Sequence, residues 1–443
     1  MMPAPLALAP DPDPTTAELI AARPHLSMHA MDGLLMEGVP LNAIADVVGS
    51  PTWVLSANCL RGRLRRLQDA MAALPMQVHY AIKANDQLAV LRLMAQGGAG
   101  ADVVSGGEMQ RALRAGIPAA HIVFSGVGKS APELRDALQA GIGQINAESA
   151  EELAMLSAVA SGMGATARVA LRINPDVDAG THAKITTGRA DNKFGIAYDD
   201  AASLYAHAAA LPGLHPVGLA LHIGSQIMSM TPYRAAYART AELVRALRAA
   251  GQAVDVVDCG GGLGIPYRNE PASTPAAFAG AIRAAFAGLD VRLAIEPGRW
   301  LVAPAGVLLT SVILSKTTAG RRFVVLDAAM NDLARPAMYD AWHGVVPLSA
   351  VDAVRPAFPA DIVGPVCESG DTFARGRALP MLDVNARLAI LDAGAYGSVM
   401  SSTYNSRPLA AQVMVDGSRW SVIRARQPIE ALWQGETAPD WFG

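Results

Sequence analysis

The sequence predicts an α/β protein, a (β/α)8 TIM-type barrel joined to a mainly antiparallel β domain. Three observations carry that expectation. Short apolar runs alternate with stretches of helical period rich in Ala, Leu, Arg and Glu, the pattern of parallel strands covered by helices. Eight such runs fall within roughly 250 residues, the usual extent of a closed barrel. Polar residues recur where the runs end, and the C-terminal end of its strands is where a barrel gathers its functional groups. An open doubly wound sheet shares the rhythm, because periodicity does not show closure; the polar strand ends favour the barrel.

The elements follow in order. Residues 1 to about 47 are Pro-rich and weakly periodic, and PTWVLSA (Pro51–Ala57) reads as a strand. The eight runs are VHYAIKAN with Lys83, GADVVSGGE with Asp102, HIVFSG with Phe124, GQINAES with Asn146, ARVALRINP with Arg172, VGLALHIGSQ with His222, VDVVDCGGG with Asp258 and RLAIEPGR with Glu296. Helical period marks Gly107–Gly116, Ala131–Gly141 and Tyr233–Gly251 between them. After about residue 305 the helical period fades. GVLLTSVILSK, RRFVVLDAA, ARLAILDAG and RWSVIRA are strand-like, and the region holding Pro336, Pro347, Pro356 and Pro359 reads as connecting loop. The barrel is assigned to residues 47–305 and the β domain to 306–443.

Composition narrows the function classes. A chain of 443 residues, 51% hydrophobic and 17% charged, has the makings of a globular enzyme of two domains. Its net charge of -3 gives no reason to expect nucleic acid or an anionic membrane as partner. Cys59, Cys259 and Cys367 are too few and too scattered for a disulfide framework or a zinc cluster, so no metal is expected. The start, MMPAPLALAPDPDP, lacks a basic region and a continuous apolar run, and no stretch reaches membrane-span length, so a cytoplasmic protein is expected. Amine chemistry has five candidates, Lys83, Lys129, Lys184, Lys193 and Lys316, since every other cation is arginine.

Within VHYAIKAN, alternation puts His79, Ala81 and Lys83 on one face. A lysine ending an apolar strand is desolvated, which lowers its pKa toward the neutral amine that attacks carbonyls; a solvent-edge lysine is the alternative. The run Asp258–Gly264 suits close backbone approach to a phosphate, or a tight structural turn, but lacks the context of a dinucleotide fingerprint. Glu296 suits a partner for a pyridine nitrogen, holding it protonated so that the ring accepts electrons, or a simple pairing with Arg299. His222 suits ring stacking or proton transfer, or is a satisfied core histidine. Cys367 and Glu368, in GPVCESGD between Gly-rich turns, favour exposure and function, although a free cysteine is more often a small buried hydrophobe.

The succession YAIKAN, ADVVSGGE, HIGSQ, CGGGLG, EPGR, GPVCESGD and DAGAYG, spanning Met36 to Asp416, resembles the fold-type III pyridoxal-phosphate-dependent decarboxylases. The resemblance includes LRINPDVDAGTHAKITTG (Leu171–Gly188), where His182–Lys184 and the nearby Arg189 depart from the commoner residues. It implies pyridoxal 5'-phosphate as cofactor, with Lys83 as its covalent anchor, Asp102 beside that lysine and His222 stacked on the ring. Ser225, Gly261, Gly262, Glu296, Gly298, Arg299 and Tyr396 take the phosphate and pyridine contacts. Cys367 takes the catalytic role that this family presents across a dimer interface, which implies a homodimer with composite sites. Residues 1–46 are implied to join 306–443. The implied reaction is decarboxylation of meso-2,6-diaminopimelate to L-lysine and CO2, with Arg299, Arg335, Tyr339 and Tyr396 suited to binding substrate and Glu368 suited to its distal ammonium. Another basic amino acid or carboxynorspermidine is the alternative substrate, and a non-catalytic homologue the remaining reading.

Overall fold

The computed structural model describes residues 13–179, 193–268 and 270–442. Eight parallel strands form a closed barrel: β1 (Met76–Ala81), β2 (Gly100–Val103), β3 (Ile122–Phe124), β4 (Gln144–Ala147), β5 (Ala167–Asn174), β6 (Leu214–Leu221), β7 (Val256–Asp258) and β8 (Arg292–Ile295). Neighbours in sequence pair in space, and β8 returns to β1 through Leu293↔Met76 and Ile295↔Val78. Closure settles the barrel against the open sheet. Each strand matches one of the eight expected runs, and their burial on both faces explains why the runs are so continuously apolar.

Helices between the strands start where a hydroxyl satisfies the first free backbone N–H groups. Ser105 accepts from Glu108 N, Ser149 from Glu152 N and Thr274 from Ala277 N, while Ser130 and Glu133 cap reciprocally. The caps at Ser105 and Ser149 fix the start of their helices just after a strand's functional end.

The second sheet runs, in spatial order, Thr372–Pro380, Ala357–Val363, Arg321–Leu326, Gly306–Thr318, Thr52–Ser56, Ala411–Asp416 and Arg419–Arg424. Two of these pairings are parallel, Arg321–Leu326 with Ala357–Val363 and Thr52–Ser56 with Ala411–Asp416, and the others are antiparallel. Residues Leu19, Leu34, Met36, Leu41 and Ile44 share a buried cluster with Val54, Val307, Leu309, Val346 and Val413, so the N-terminal helix and hairpin pack on this sheet.

Two expectations need correction. Thr52–Ser56, placed inside the barrel's 47–305 span, hydrogen-bonds to Gly306–Thr318 and Ala411–Asp416 instead. All five of its residues are buried, and a strand covered on both faces reads alike in either sheet. The proline-bearing region is not plain loop: it contains the helix Arg335–Tyr339 and the strands Val345–Pro347 and Ala357–Val363. Pro336 sits in a first helical turn, where a missing N–H costs nothing. Pro359 lies where its strand has a neighbour on one side only, pairing with Ala378 before the Asp361–Val363 stretch gains a second.

Candidate active site

At the C-terminal mouth of the barrel, β1 gives way to a single turn, Ile82–Ala84, that carries Lys83. The lysine Nζ lies 2.5 Å from Asp102 Oδ2, on β2. Burial pushes the amine's pKa down, but the Asp102 carboxylate, with the acidic groups Glu296 and Tyr396 adding to it, outweighs burial and the net shift is upward. The expected depression therefore does not hold: desolvation is real, and an adjacent carboxylate cancels it.

Glu296 follows β8 and stands against Asp258, which ends β7. Burial first, then the charges of Asp102 and Asp258, raise Glu296 well above the ordinary carboxylate range. Asp258 is pushed up to about 6, chiefly by burial, while the Gly260 N–H donates to its Oδ1 at 2.9 Å. Two carboxyls in contact out of water share a proton more readily than they both ionise. Three acids thus surround one amine. In the sequence Asp258 stands out only as the head of the glycine run, and an acid directly ahead of a phosphate-type turn is the signal it carries.

That turn is forced on glycine by its neighbours. A Cβ on Gly261 would lie 2.0 Å from the Glu296 carbonyl oxygen. One on Gly262, where φ is +93°, would lie 2.1 Å from the Gly224 carbonyl. The Gly261 N–H donates to His222 Nδ1 at 3.3 Å. Burial, then the charges of Arg172 and Lys83, hold His222 well below its ordinary pKa, so its ring is uncharged.

Arg299 begins the short helix after Gly298. Its Nη1 donates to Tyr267 Oη at 2.9 Å and its Nη2 to Ser225 Oγ at 3.0 Å, with its guanidinium 4.9 Å from the Tyr396 ring centroid. Tyr396 takes a left-handed backbone (φ 54°) and anchors its N–H on the Ala84 carbonyl at 2.8 Å, beside Lys83. A Cβ on Gly298 would stand 3.4 Å from the Tyr396 hydroxyl. Lys83, Asp102, His222, Ser225, Gly261, Gly262, Glu296, Gly298, Arg299 and Tyr396 are thereby brought to one end of the barrel.

A cavity of about 380 Å³ opens above them, lined by Lys83, Ser125, Asn146, Arg172, His222 and Glu296 among others. Arg172 donates to Glu148 Oε1 at 2.8 Å, and Glu148 also accepts from the Gly126 and Gly195 N–H groups, tying two loops to the wall. Ser125, Asn146 and Glu148 are not legible as site residues in the sequence, because single polar residues at or just past a strand's end carry no period.

The other candidates lie farther out. Arg335 is buried, its Nη1 2.7 Å from His343 Nε2 and its guanidinium 4.8 Å from the Tyr267 ring. It thus shares Tyr267 with Arg299, and Tyr339, four residues on, is close enough to influence Arg299 electrostatically. Cys367 and Glu368 are exposed and do not line the Lys83 cavity. Cys367 N donates to Asn405 Oδ1 at 2.9 Å, and Glu368 Oε1 accepts from Gly370 N at 3.1 Å. Within one chain the structure does not bring them to the amine. His182–Lys184 and Arg189 lie outside the described residues. Among the described residues no cluster of three or more His, Cys, Asp or Glu side chains is arranged to hold a metal, and no helix is long and apolar enough to cross a membrane.

Comparison with known proteins follows the same residues. The family model for the pyridoxal-binding domain of pyridoxal-dependent decarboxylases matches residues 58–303. Diaminopimelate decarboxylase of Zymomonas mobilis is 49% identical over 92% of this chain and 98% of its own, and that of Pseudomonas fluorescens 46% identical over 91% and 97%. Among solved structures, diaminopimelate decarboxylase from Helicobacter pylori complexed with L-lysine superimposes with a TM-score of 0.86 at 39% identity, covering 89% of this chain and 98% of that one. Diaminopimelate decarboxylase from M. jannaschii gives 0.89 at 34%, covering 95% and 99%.

Pyridoxal 5'-phosphate, the cofactor of that family, fits what this site offers. Asp102 Oδ1 and Arg299 Nε are buried polar atoms without a hydrogen-bond partner, a costly condition unless a ligand completes them. Gly261 and Gly262 keep side chains out of the turn where a phosphate would approach, and an uncharged imidazole offers a flat face.

Proposed function

Because the chain belongs to the pyridoxal-dependent decarboxylases, we propose that it removes the α-carboxylate of meso-2,6-diaminopimelate, releasing CO2 and L-lysine in lysine biosynthesis. The observation that carries this reading is Lys83 Nζ at 2.5 Å from a buried Asp102, in the same cavity as the buried Glu296. The relatives named diaminopimelate decarboxylase, at 49% and 46% identity over nine tenths of the chain, support the substrate.

Lys83 would anchor the cofactor aldehyde, Arg299, Ser225 and the glycine turn would hold the phosphate end, and Glu296 would face the ring nitrogen. Bound there, pyridoxal phosphate supplies the electron sink that lets carbon dioxide leave. The chain's residues do the rest. Asp102, 2.5 Å from Lys83 Nζ, holds the amine in place at the barrel mouth. Glu296, whose burial beside Asp102 and Asp258 favours a proton, would hold one toward the ring nitrogen. His222, uncharged and engaged at Nδ1, packs flat and is a poor proton donor, which leaves Cys367 as the first choice to protonate Cα and Lys83 as the second.

Cys367 and Glu368 reach the amine from a second copy of the chain, so the working unit is a homodimer with shared sites. Their exposure, away from their own chain's cavity, supports this. Glu368 then pairs with the substrate's distal ammonium. Arg335, with Arg299 and Tyr339, holds the distal carboxylate, which a planar guanidinium binds bidentately. The test is release of carbon dioxide and lysine from meso-diaminopimelate, run beside ornithine, arginine and carboxynorspermidine. Preference for diaminopimelate is expected; turnover of ornithine or carboxynorspermidine at a higher kcat/KM overturns the substrate assignment.

A further inference from the structure

We propose that Asn146 is a positioning residue for Glu296, acting through the hydroxyl of Ser125. The interior of a parallel barrel is normally filled by branched apolar side chains. Here a line of hydrogen-bonded polar groups crosses it instead. Gln144 and Asn146, two apart on β4, point to the same side. Gln144 Nε2 donates to Asn146 Oδ1 at 2.8 Å, Asn146 Nδ2 donates to Ser125 Oγ at 3.1 Å, and Ser125 Oγ stands 3.3 Å from Glu296 Oε1. Asn146 is 1% exposed, Ser125 5% and Gln144 8%.

The direction of each bond follows from the one before. Gln144 occupies the amide oxygen of Asn146, so the amide turns its NH2 toward Ser125. Ser125 then receives an N–H on its oxygen and sends its own proton onward to the carboxyl of Glu296. At 3.3 Å that last contact is long for a hydroxyl and a carboxylate, so whether it is made depends on how firmly the amide holds Ser125. A hydroxyl donating to Glu296 favours the ionised carboxylate and opposes the burial and the neighbouring acids that work against it. It also fixes which carboxyl oxygen is already engaged. The inference rests on the reading that Glu296 meets the cofactor's ring nitrogen.

The experiment compares Ser125→Ala, Asn146→Leu and the double variant. Cofactor-free proteins are titrated with pyridoxal 5'-phosphate, the visible band of the bound cofactor is followed against pH, and thermal midpoints are recorded alongside. Each single variant is expected to weaken cofactor binding roughly tenfold, the loss of one hydrogen bond to a charged group. Each also moves the band's pH transition upward, because Glu296 then ionises later. The double variant should lose no more than either single one, since both cut the same line, and Ser125→Thr, which keeps the hydroxyl, should restore the transition. Losses that multiply in the double variant, or an unmoved transition with a lowered thermal midpoint, overturn the proposal and leave Asn146 a packing residue. Failure of the unmodified protein to bind pyridoxal phosphate would strike at the functional reading instead.

Discussion

Glu108, in the first turn of the helix after Asp102, is the site's pH-sensitive acid outside the central carboxyl group. Burial raises it to about 7, against the lowering effects of the Val104 N–H and of Lys83. In the unfolded chain it titrates near the ordinary glutamate value of 4.5, so between that pH and about 7 the folded protein holds the extra proton. Stability from this group is therefore complete below the lower value and is lost as pH rises through the upper one. Glu108→Gln is expected to flatten the fall in urea midpoint between about pH 5 and about pH 8 relative to the unmodified protein; an identical slope in the two contradicts it. Arg335 makes a different prediction. Arg335→Ala should raise KM for diaminopimelate by roughly ten- to a hundredfold, as lost charged hydrogen bonds do, while leaving the dissociation constant of pyridoxal phosphate unchanged. Equal loss of both would remove Arg335 from the distal carboxylate site. Lys83, Glu296 and the glycines were legible because each breaks an apolar run at its end. Asn146 and Ser125 were not, because an amide and a hydroxyl inside a strand region look like tolerated polar residues until their partners are known. The one available sign was Gln144 and Asn146 two apart in an otherwise apolar run.

At the scale of elements, the glycine turn between β7 and the Tyr267 segment brings the backbone within contact of Glu296 and Gly224. Gly262→Ala should combine left-handed strain with a backbone clash, costing about 2 kcal/mol or more and the retention of cofactor. Gly320→Ala is the comparison: its φ is +76° but nothing lies within 4 Å of a Cβ there, so the cost is strain alone and cofactor retention is untouched. Urea midpoints and cofactor content check both, and wild-type retention in Gly262→Ala contradicts the account. The barrel strands were legible because parallel strands between helices are apolar on both faces. The same fact hid the place of Thr52–Ser56, which is as buried as any barrel strand but pairs in the other sheet. Ala357–Val363 was hidden by Pro359, tolerated only because part of that strand has a single neighbour, a long-range circumstance that local sequence does not carry.

For the whole molecule, one chain holds the amine and its acids but keeps Cys367 and Glu368 away from them. Mixing Lys83→Ala with Cys367→Ala protein should restore part of the activity, because one site of the mixed dimer then has both groups intact; no rescue after verified subunit exchange argues for self-contained sites. The barrel, the second sheet and the cavity between strand ends all converge on one covalent anchor, and that is where the account is most exposed. The direct test is borohydride reduction of the cofactor-loaded protein followed by peptide mass mapping. The account predicts the reduced pyridoxyl phosphate adduct on the peptide carrying Lys83 and its absence in Lys83→Ala. An adduct on Lys129, Lys184, Lys193 or Lys316, with Lys83 unmodified, would contradict it.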